Sequence, residues 1–291
     1  MEMVHATSWA DALAAKAAAP GLLPIAGGTD VMVELNFDRR RPEGLLDLTR
    51  VEDLATWSLV GDTVVLGAGV TYTQVGGELS DLLPGLAMAS RTVGSPQIRN
   101  RGTVGGNLGS ASPAGDAHPP LLAAGAVVEV ESLRGSRRVP VASFFLGPKR
   151  SVLEPDELIR AVHVPRSTGP EQFSKIGTRN AMVIAVAAFG LRLDGSGRRV
   201  GTGVGSAGPT PLVATEAEEY LAAELEAAGA WQSGEPIAPP VVRRFGELVA
   251  SAAAPIDDVR GSAVYRRHAL DVMARRTLTW AWDDYRNGAA G

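Results

Sequence analysis

Cysteine is absent from all 291 residues. The chain therefore forms no disulfide, offers no thiolate nucleophile and cannot hold an iron–sulfur cluster through cysteine. A cytoplasmic setting fits that lack. An excess of one charge is missing too: 28 Lys and Arg face 32 Asp and Glu, a net charge of −4. So mild a balance, with no basic run, argues against nucleic acid or an anionic membrane as the main partner. No apolar run approaches the ~20 residues of a membrane span. The first twenty residues carry Glu2 and lack the cationic flank and apolar core of a signal peptide. G-K-[ST], G-x-S-x-G and H-E-x-x-H are all missing, which removes the P-loop, the hydrolase elbow and the two-histidine zinc helix. His5, His118, His163 and His268 are scattered, so no metal site is expected.

A length of 291 residues suggests two domains rather than one, and a hydrophobic share of 45% is ordinary for a globular protein with packed cores. Ser8 with Asp11 caps a helix to about Ala18. Leu22–Ala26 reads as a strand, followed by the turn Gly27-Gly28-Thr29-Asp30 and a helix from Val31, with Thr29 or Asp30 as N-cap. Leu45–Leu48 completes an early β-α-β unit. Trp57–Val60 and Thr63–Leu66 form a hairpin. Thr71 caps a helix toward Leu79, and Pro84–Val93 is another. Pro119–Ala124 is a short helix, and Ala126–Glu131, Arg137–Val141 and Leu158–Val164 are strands. PRSTGP at Pro165–Pro170 reads as a linker. Beyond it come strands Gln172–Ile176, Met182–Asp194 and Arg199–Ser206. Helices Thr215–Leu225, Pro240–Ala253 and Ser262–Asp284 follow.

The stretch from Gly94 to Asp116, GSPQIRNRGTVGGNLGSASPAGD, is the chain's most distinctive. It holds six glycines and no acid before Asp116. Glycine admits φ > 0 and close approach of backbone N–H groups to a ligand, and successive N–H groups make anion sites. Such clusters are ordinarily plain surface loops, yet loops this long are uncommon unless functional. The Gly27–Asp30 turn, set between a strand and a helix, has phosphate-binding geometry as well. Two such sites fit a dinucleotide. Gly203–Gly208 also matches G-x-G-x-x-G, but Pro209 and Pro211 follow where a Rossmann unit needs a helix, so it reads as a strand end and loop.

Three segments carry a family resemblance: AGGTD at Ala26–Asp30, IRNRGTVGGNLGSASPAGD at Ile98–Asp116, and DDVRGSAVYRRHAL at Asp257–Leu270. Together they resemble the FAD-binding subunits of the molybdenum hydroxylases, the flavin subunits of bacterial xanthine dehydrogenases and carbon monoxide dehydrogenase. The resemblance covers nearly the whole chain. It implies an α+β chain: a two-lobed FAD-binding domain, with a small βαβ lobe (1–55) and a larger mixed lobe (56–167). An α+β C-terminal domain (168–291), an antiparallel sheet with helices, would follow.

The resemblance assigns FAD to Ile25, Ala26, Gly27, Gly28, Thr29, Asp30 and Val31, to Val93, to Thr103, Val104, Gly105, Gly106 and Asn107, and to Asp116, Ile159 and Lys175. Backbone N–H groups of Ala26–Thr29 and Thr103–Asn107 are expected to hold the two phosphates. Asp116, which only accepts hydrogen bonds when ionised, suits hydroxyls; alternatively it caps the Pro119–Ala124 helix. Lys175 is either near the cofactor or a solvated strand residue. Arg99 and Arg101 are expected to anchor the loop, and Ser262 to cap the last helix.

The implied activity is electron relay as an oxidoreductase subunit. Electrons would come from [2Fe-2S] clusters of a partner iron–sulfur subunit, fed by a large subunit holding the molybdenum cofactor. They would pass through FAD to NAD⁺ or another acceptor, in a dimer of heterotrimers. The lack of cysteine agrees with that division of labour. One departure stands out: many relatives carry an acid after the R-x-A-M step, where this chain has Val183. A carbon-monoxide-, aldehyde- or N-heterocycle-dehydrogenase subunit, a stand-alone flavin reductase and a scaffold holding FAD only structurally stay open.

Overall fold

A computed structural model describes residues 2–288. Its first part is a three-stranded parallel sheet: β1 (Glu2–His5), α1 (Trp9–Ala18), β2 (Leu22–Ile25), α2 (Val31–Asn36) and β3 (Gly44–Asp47), in strand order β1-β3-β2. Parallel pairing needs a crossover, and α1 and α2 supply it. Helix α1 starts where expected, because Ser8 and Asp11 each bond the other's backbone N–H. Strand β1 has only four residues and no alternation, and its sequence carried no strand signal.

The second part opens with the hairpin β4 (Trp57–Val60) and β5 (Thr63–Gly67), turned at Gly61 with φ +58. Helices α3 (Tyr72–Glu78) and α4 (Pro84–Thr92) follow, α3 being started by a Thr71–Gln74 capping box. The glycine-rich stretch is not one loop, as the sequence suggested. It contains two short helices, α5 (Pro96–Arg101) and α6 (Val104–Ser110), capped by Ser95 and Thr103. After α7 (His118–Ala123) come β6 (Val127–Ser132), β7 (Gly135–Pro140), β8 (Phe145–Gly147), β9 (Arg150–Ser151) and β10 (Leu158–Pro165). Their main sheet has the order β4-β5-β10-β6-β7, all antiparallel, with a bulge in β10 at Arg160.

The third part is the antiparallel sheet β11 (Glu171–Ile176), β12 (Ala187–Asp194) and β13 (Arg199–Gly205) under α8 (Thr215–Ala227), α9 (Ala230–Ser233), α10 (Pro239–Ala252) and α11 (Ala263–Gly288). Strand β12 is shorter than the expected Met182–Asp194. Pairing begins only at Ala187; residues 182–186 lie outside the ladder, and Met182 takes φ +51. All eight residues of β12 are buried, as both faces of this central strand are covered.

One apolar cluster runs from Ala6 to Val164 through the first two parts, and a second from Ala187 to Trp282 fills the third. Helix α7 joins the two by lying on β12 and β13. This contact accounts for the glycines of β13, among them Gly203 and Gly205, the first two of the G-x-G-x-x-G match. A Cβ on Gly203 would stand 2.0 Å from the Pro119 carbonyl oxygen, and one on Gly201 would be 2.0 Å from that of Ala123. Those glycines admit a helix, not a nucleotide. Buried Glu171 fastens the same seam: it accepts the Gly85 N–H at 2.9 Å and lies 3.5 Å from Arg192. Arg192 in turn donates to the Pro165 and Arg166 carbonyls at 2.9 and 2.7 Å. Removing Arg192 would strand a buried carboxylate, at a cost of about 3–5 kcal/mol.

Candidate functional site

The two glycine bends touch. A Cβ on Gly27 would lie 1.7 Å from the Arg101 carbonyl oxygen and 2.9 Å from the Gly102 nitrogen, so only glycine fits at the junction. Gly28 turns the chain with φ +72, a left-handed conformation that other residues resist. The N–H groups of Gly27, Gly28, Thr29 and Asp30 meet no acceptor among the described residues. They lead into α2, where the Met32 N–H already donates to the Gly28 carbonyl at 3.0 Å and the Val33 N–H to that of Asp30 at 3.1 Å, so the open donors are those of the bend itself. This is a concave, donor-rich bend suited to an anion. Ile25 ends β2 ahead of it, and Val31 opens α2 behind it. Asp30, one of the two expected candidates, is the N-cap residue of α2, but no side chain caps the helix. Asp30 takes an α conformation there. Its carboxylate instead accepts from Lys149 Nζ at 2.8 Å, and Lys149 also reaches Glu34 at 3.0 Å.

The second bend differs from the expectation. Val104 N–H donates to the Val70 carbonyl at 3.0 Å, Gly105 N–H to Ala68 at 3.1 Å and Asn107 N–H to Thr103 at 3.0 Å. Gly106 N–H donates to the Thr103 hydroxyl at 2.9 Å. Four of the five amides expected to grip phosphate are thus engaged within the protein, and only Thr103 N–H is without an acceptor among the described residues. Glycine serves packing here: a Cβ on Gly105 would be 2.6 Å from the Ala68 carbonyl oxygen.

Beyond α6 the chain places Asp116 against Lys175 of β11, Oδ2 to Nζ at 2.7 Å. Both side chains are nearly closed to solvent, at 10% and 7% exposure, so Lys175 is not a solvated strand residue. Nor does Asp116 cap α7; Ala117 holds that position, with no side-chain cap. Burial pushes the Asp116 carboxyl up to about 6 despite the opposing pull of Lys175. Its Oδ1 is buried without a hydrogen-bond partner among the described residues. An acceptor so placed suits a hydroxyl donor. His118 packs on Phe145, ring centroids 4.6 Å apart, and its Nε2 donates to the Asn107 carbonyl at 3.3 Å. Burial lowers its pKa to about 4, so the ring is neutral at pH 7.

Comparison with known proteins places this arrangement. A family model for the FAD binding domain in molybdopterin dehydrogenase matches residues 1–167, and one for the CO dehydrogenase flavoprotein C-terminal domain matches 172–281. The chain belongs to the FAD-binding subunits of the molybdenum hydroxylases. A xanthine dehydrogenase FAD-binding subunit of Escherichia coli O157:H7 is 30% identical over 95% of this chain and 94% of its own. A nicotinate dehydrogenase FAD-subunit of Eubacterium barkeri is 34% identical over 68% and 70%. A crystal structure of the Cu,Mo-CO dehydrogenase contains a chain that superposes with a TM-score of 0.87 at 28% identity, covering 98% of each. The chain is accordingly an oxidoreductase subunit with an FAD-binding domain.

The remaining expected residues of this FAD-binding subunit lie on other elements. Val93 sits at the C-cap of α4, its carbonyl held by Arg99 Nη1 at 3.1 Å. Arg99 also holds the Gly94 carbonyl at 3.1 Å, so it anchors the loop as expected. Ile159, at the β10 bulge, comes 3.7 Å from where a Gly109 Cβ would be. Ser262 accepts the Tyr265 N–H at 3.2 Å and caps the start of α11. Buried Arg266 ties the Val186 and Ser206 carbonyls to Asp258, a structural role. A cavity of about 310 Å³ between α3, α4 and α5 is lined by Tyr72, Arg91, Arg99 and Asn100 among others, and by none of the expected site residues. Lys149, His118 and Tyr72 were missed from sequence, for no motif marks them. Lys149 has one local signal: its φ of +59 lies in a Gly-Pro-Lys turn.

Proposed function

We propose that this subunit holds the FAD diphosphate on the first glycine bend, with Gly27, Gly28, Thr29, Asp30 and Thr103 giving backbone N–H groups. The observation carrying the reading is the row of unengaged amides at Gly27–Asp30, pressed against the second bend. Ile25, Ala26 and Val31 frame that bend, and Val104, Gly105, Gly106 and Asn107 shape the opposite wall. Asp116 accepts from a cofactor hydroxyl through Oδ1, and Lys175 keeps its carboxylate oriented. Val93 and Ile159 supply apolar contact. Residues 1–55 and 56–167 act as two lobes around the cofactor, and 168–291 closes the site through Lys175. These residues fit FAD: free donors meet the phosphates, and a buried acceptor meets a hydroxyl.

Bound flavin supplies the redox chemistry, and the protein contributes binding, orientation and surrounding charge. In this reading the chain works beside an iron–sulfur subunit and a large molybdenum-cofactor subunit, in a cytoplasmic dimer of heterotrimers. Electrons leave for NAD⁺ or another acceptor. Relatives bearing medium-chain or FAD-subunit names support the subunit role. The substrate belongs to another chain, and xanthine, an aldehyde, carbon monoxide or an N-heterocycle each fit. None of the described helices is long and apolar enough to cross a membrane.

Two measurements test this. The purified chain is expected to take up one FAD and to co-purify with a cysteine-rich chain and a larger molybdenum chain; a colourless chain refractory to FAD overturns the reading. Bleaching of the loaded chain by NADH supports the NAD⁺ acceptor, and an unchanged spectrum rules it out.

A further inference from the structure

We propose that the phenol of Tyr72 donates a hydrogen bond to the diphosphate of the bound dinucleotide. The inference rests on the reading that FAD occupies the two bends. Tyr72 opens α3 beside the second bend, and its N–H donates to the Gly102 carbonyl at 3.1 Å. The preceding Thr71 bridges Thr103 as an isolated antiparallel pair. A Cβ on Gly102 would stand 3.3 and 3.4 Å from Cδ2 and Cε2 of the tyrosine ring. Gly102 is also the residue against which Gly27 packs. The ring therefore stands at the seam where the bends meet.

Its hydroxyl is the informative atom. The residue is 3% exposed, and the phenol oxygen has no hydrogen-bond partner among the described residues. Burial, then the charges of Asp116 and Asp30, push its pKa well above the ordinary value, so it stays protonated and can donate. Each of those two carboxylates has a lysine beside it: Asp116 has Lys175 at 2.7 Å and Asp30 has Lys149 at 2.8 Å. Asp116 is engaged through Oδ2 alone and the phenol bonds to neither acid, so the hydroxyl is a neutral donor without an acceptor among the described residues. Phenylalanine would fill the same volume without a polar atom to satisfy. A phosphate oxygen arriving at the seam supplies the missing acceptor, as a charge-assisted bond.

The variant Tyr72→Phe separates this from a packing role. The full chain is stripped of cofactor and titrated by calorimetry with FAD and with ADP, which shares the diphosphate. Melting temperatures are taken with and without FAD. The variant is expected to bind both nucleotides about tenfold to a hundredfold more weakly. Its cofactor-free melting temperature should match or exceed that of the wild type, because a buried hydroxyl without a partner has been removed. The FAD-loaded temperature should fall below the wild type's. Unchanged affinity for both nucleotides overturns the proposal, and so does a weakened FAD with unaltered ADP. Equal drops in both melting temperatures would mark a purely structural ring. Wild-type protein that binds neither nucleotide refutes the parent reading and this inference with it, and that titration is read first.

Discussion

At Gly27 the missing Cβ lets the chain pass against the Arg101 carbonyl; at Gly105 it lets α6 begin against Ala68. In sequence the two bends look alike, each a glycine pair among small polar residues. In structure the first leaves its amides open and the second turns them inward. Glycine content alone therefore says that backbone comes close to something. Whether that something is a ligand or the protein depends on which carbonyls stand opposite. The second bend faces Val70 and Ala68 at the end of the main sheet, and they take its donors. The first meets no such acceptors among the described residues.

Gly27→Ala should break the comparison most severely. Its new Cβ would collide with backbone at 1.7 Å, where no side chain can yield. Flavin retention should vanish, together with about 3 kcal/mol of stability, the upper part of the overpacking range. Retained stoichiometric flavin would show that the bends are not one site. Gly105→Ala should do less, because its nearest contacts are Ala68 atoms at 2.6 Å. Here about 2 kcal/mol should be lost in urea unfolding of the cofactor-free chain, with flavin affinity falling only in step. An affinity loss far above the stability loss would mean that the second bend grips the ligand with its amides after all.

The smallest and most selective effect is in pH. His118, held near 4 when folded, refuses a proton that the unfolded chain accepts below its ordinary 6.5. Stability is therefore lost as pH falls through that window. Asp116, raised to about 6 from 3.8, acts in the opposite sense. Its folded form keeps a proton that the unfolded form releases, so its contribution is full below 3.8 and is lost as pH rises through 6. Between about 4 and 6 the two oppose each other behind the second bend. Asp116→Asn should steepen the acid loss of the cofactor-free chain, and His118→Leu should flatten or reverse it. Urea midpoints against pH measure this; parallel curves for all three proteins would refute the balance.

Much of the architecture was legible because its signals are local. Ser8 with Asp11 and Thr71 with Gln74 are capping boxes visible at a glance, and both start helices. Gly61-Asp62 turns a hairpin as its residues demand. The helices inside the glycine-rich stretch were obscured because glycine is a poor helix former, about 1 kcal/mol worse than alanine. Their caps, Ser95 and Thr103, were in plain view among the other small polar residues. The candidate site was legible only where a glycine-rich motif marks it. Tyr72, Lys149 and His118 reach it by position in space, from α3, the β8–β9 turn and α7, and a side chain's neighbours from distant segments leave no trace in spacing.

By itself the amino-acid order determined the helix starts, the hairpin, the absence of any thiol chemistry and the family. These follow from interactions within a few residues or from composition. Tertiary structure alone decided which amides are free, that Gly201 and Gly203 admit a helix, and that Lys175 closes on Asp116 from another sheet. Each depends on what folding brings opposite a group, and a donor's availability is set by the acceptor it meets.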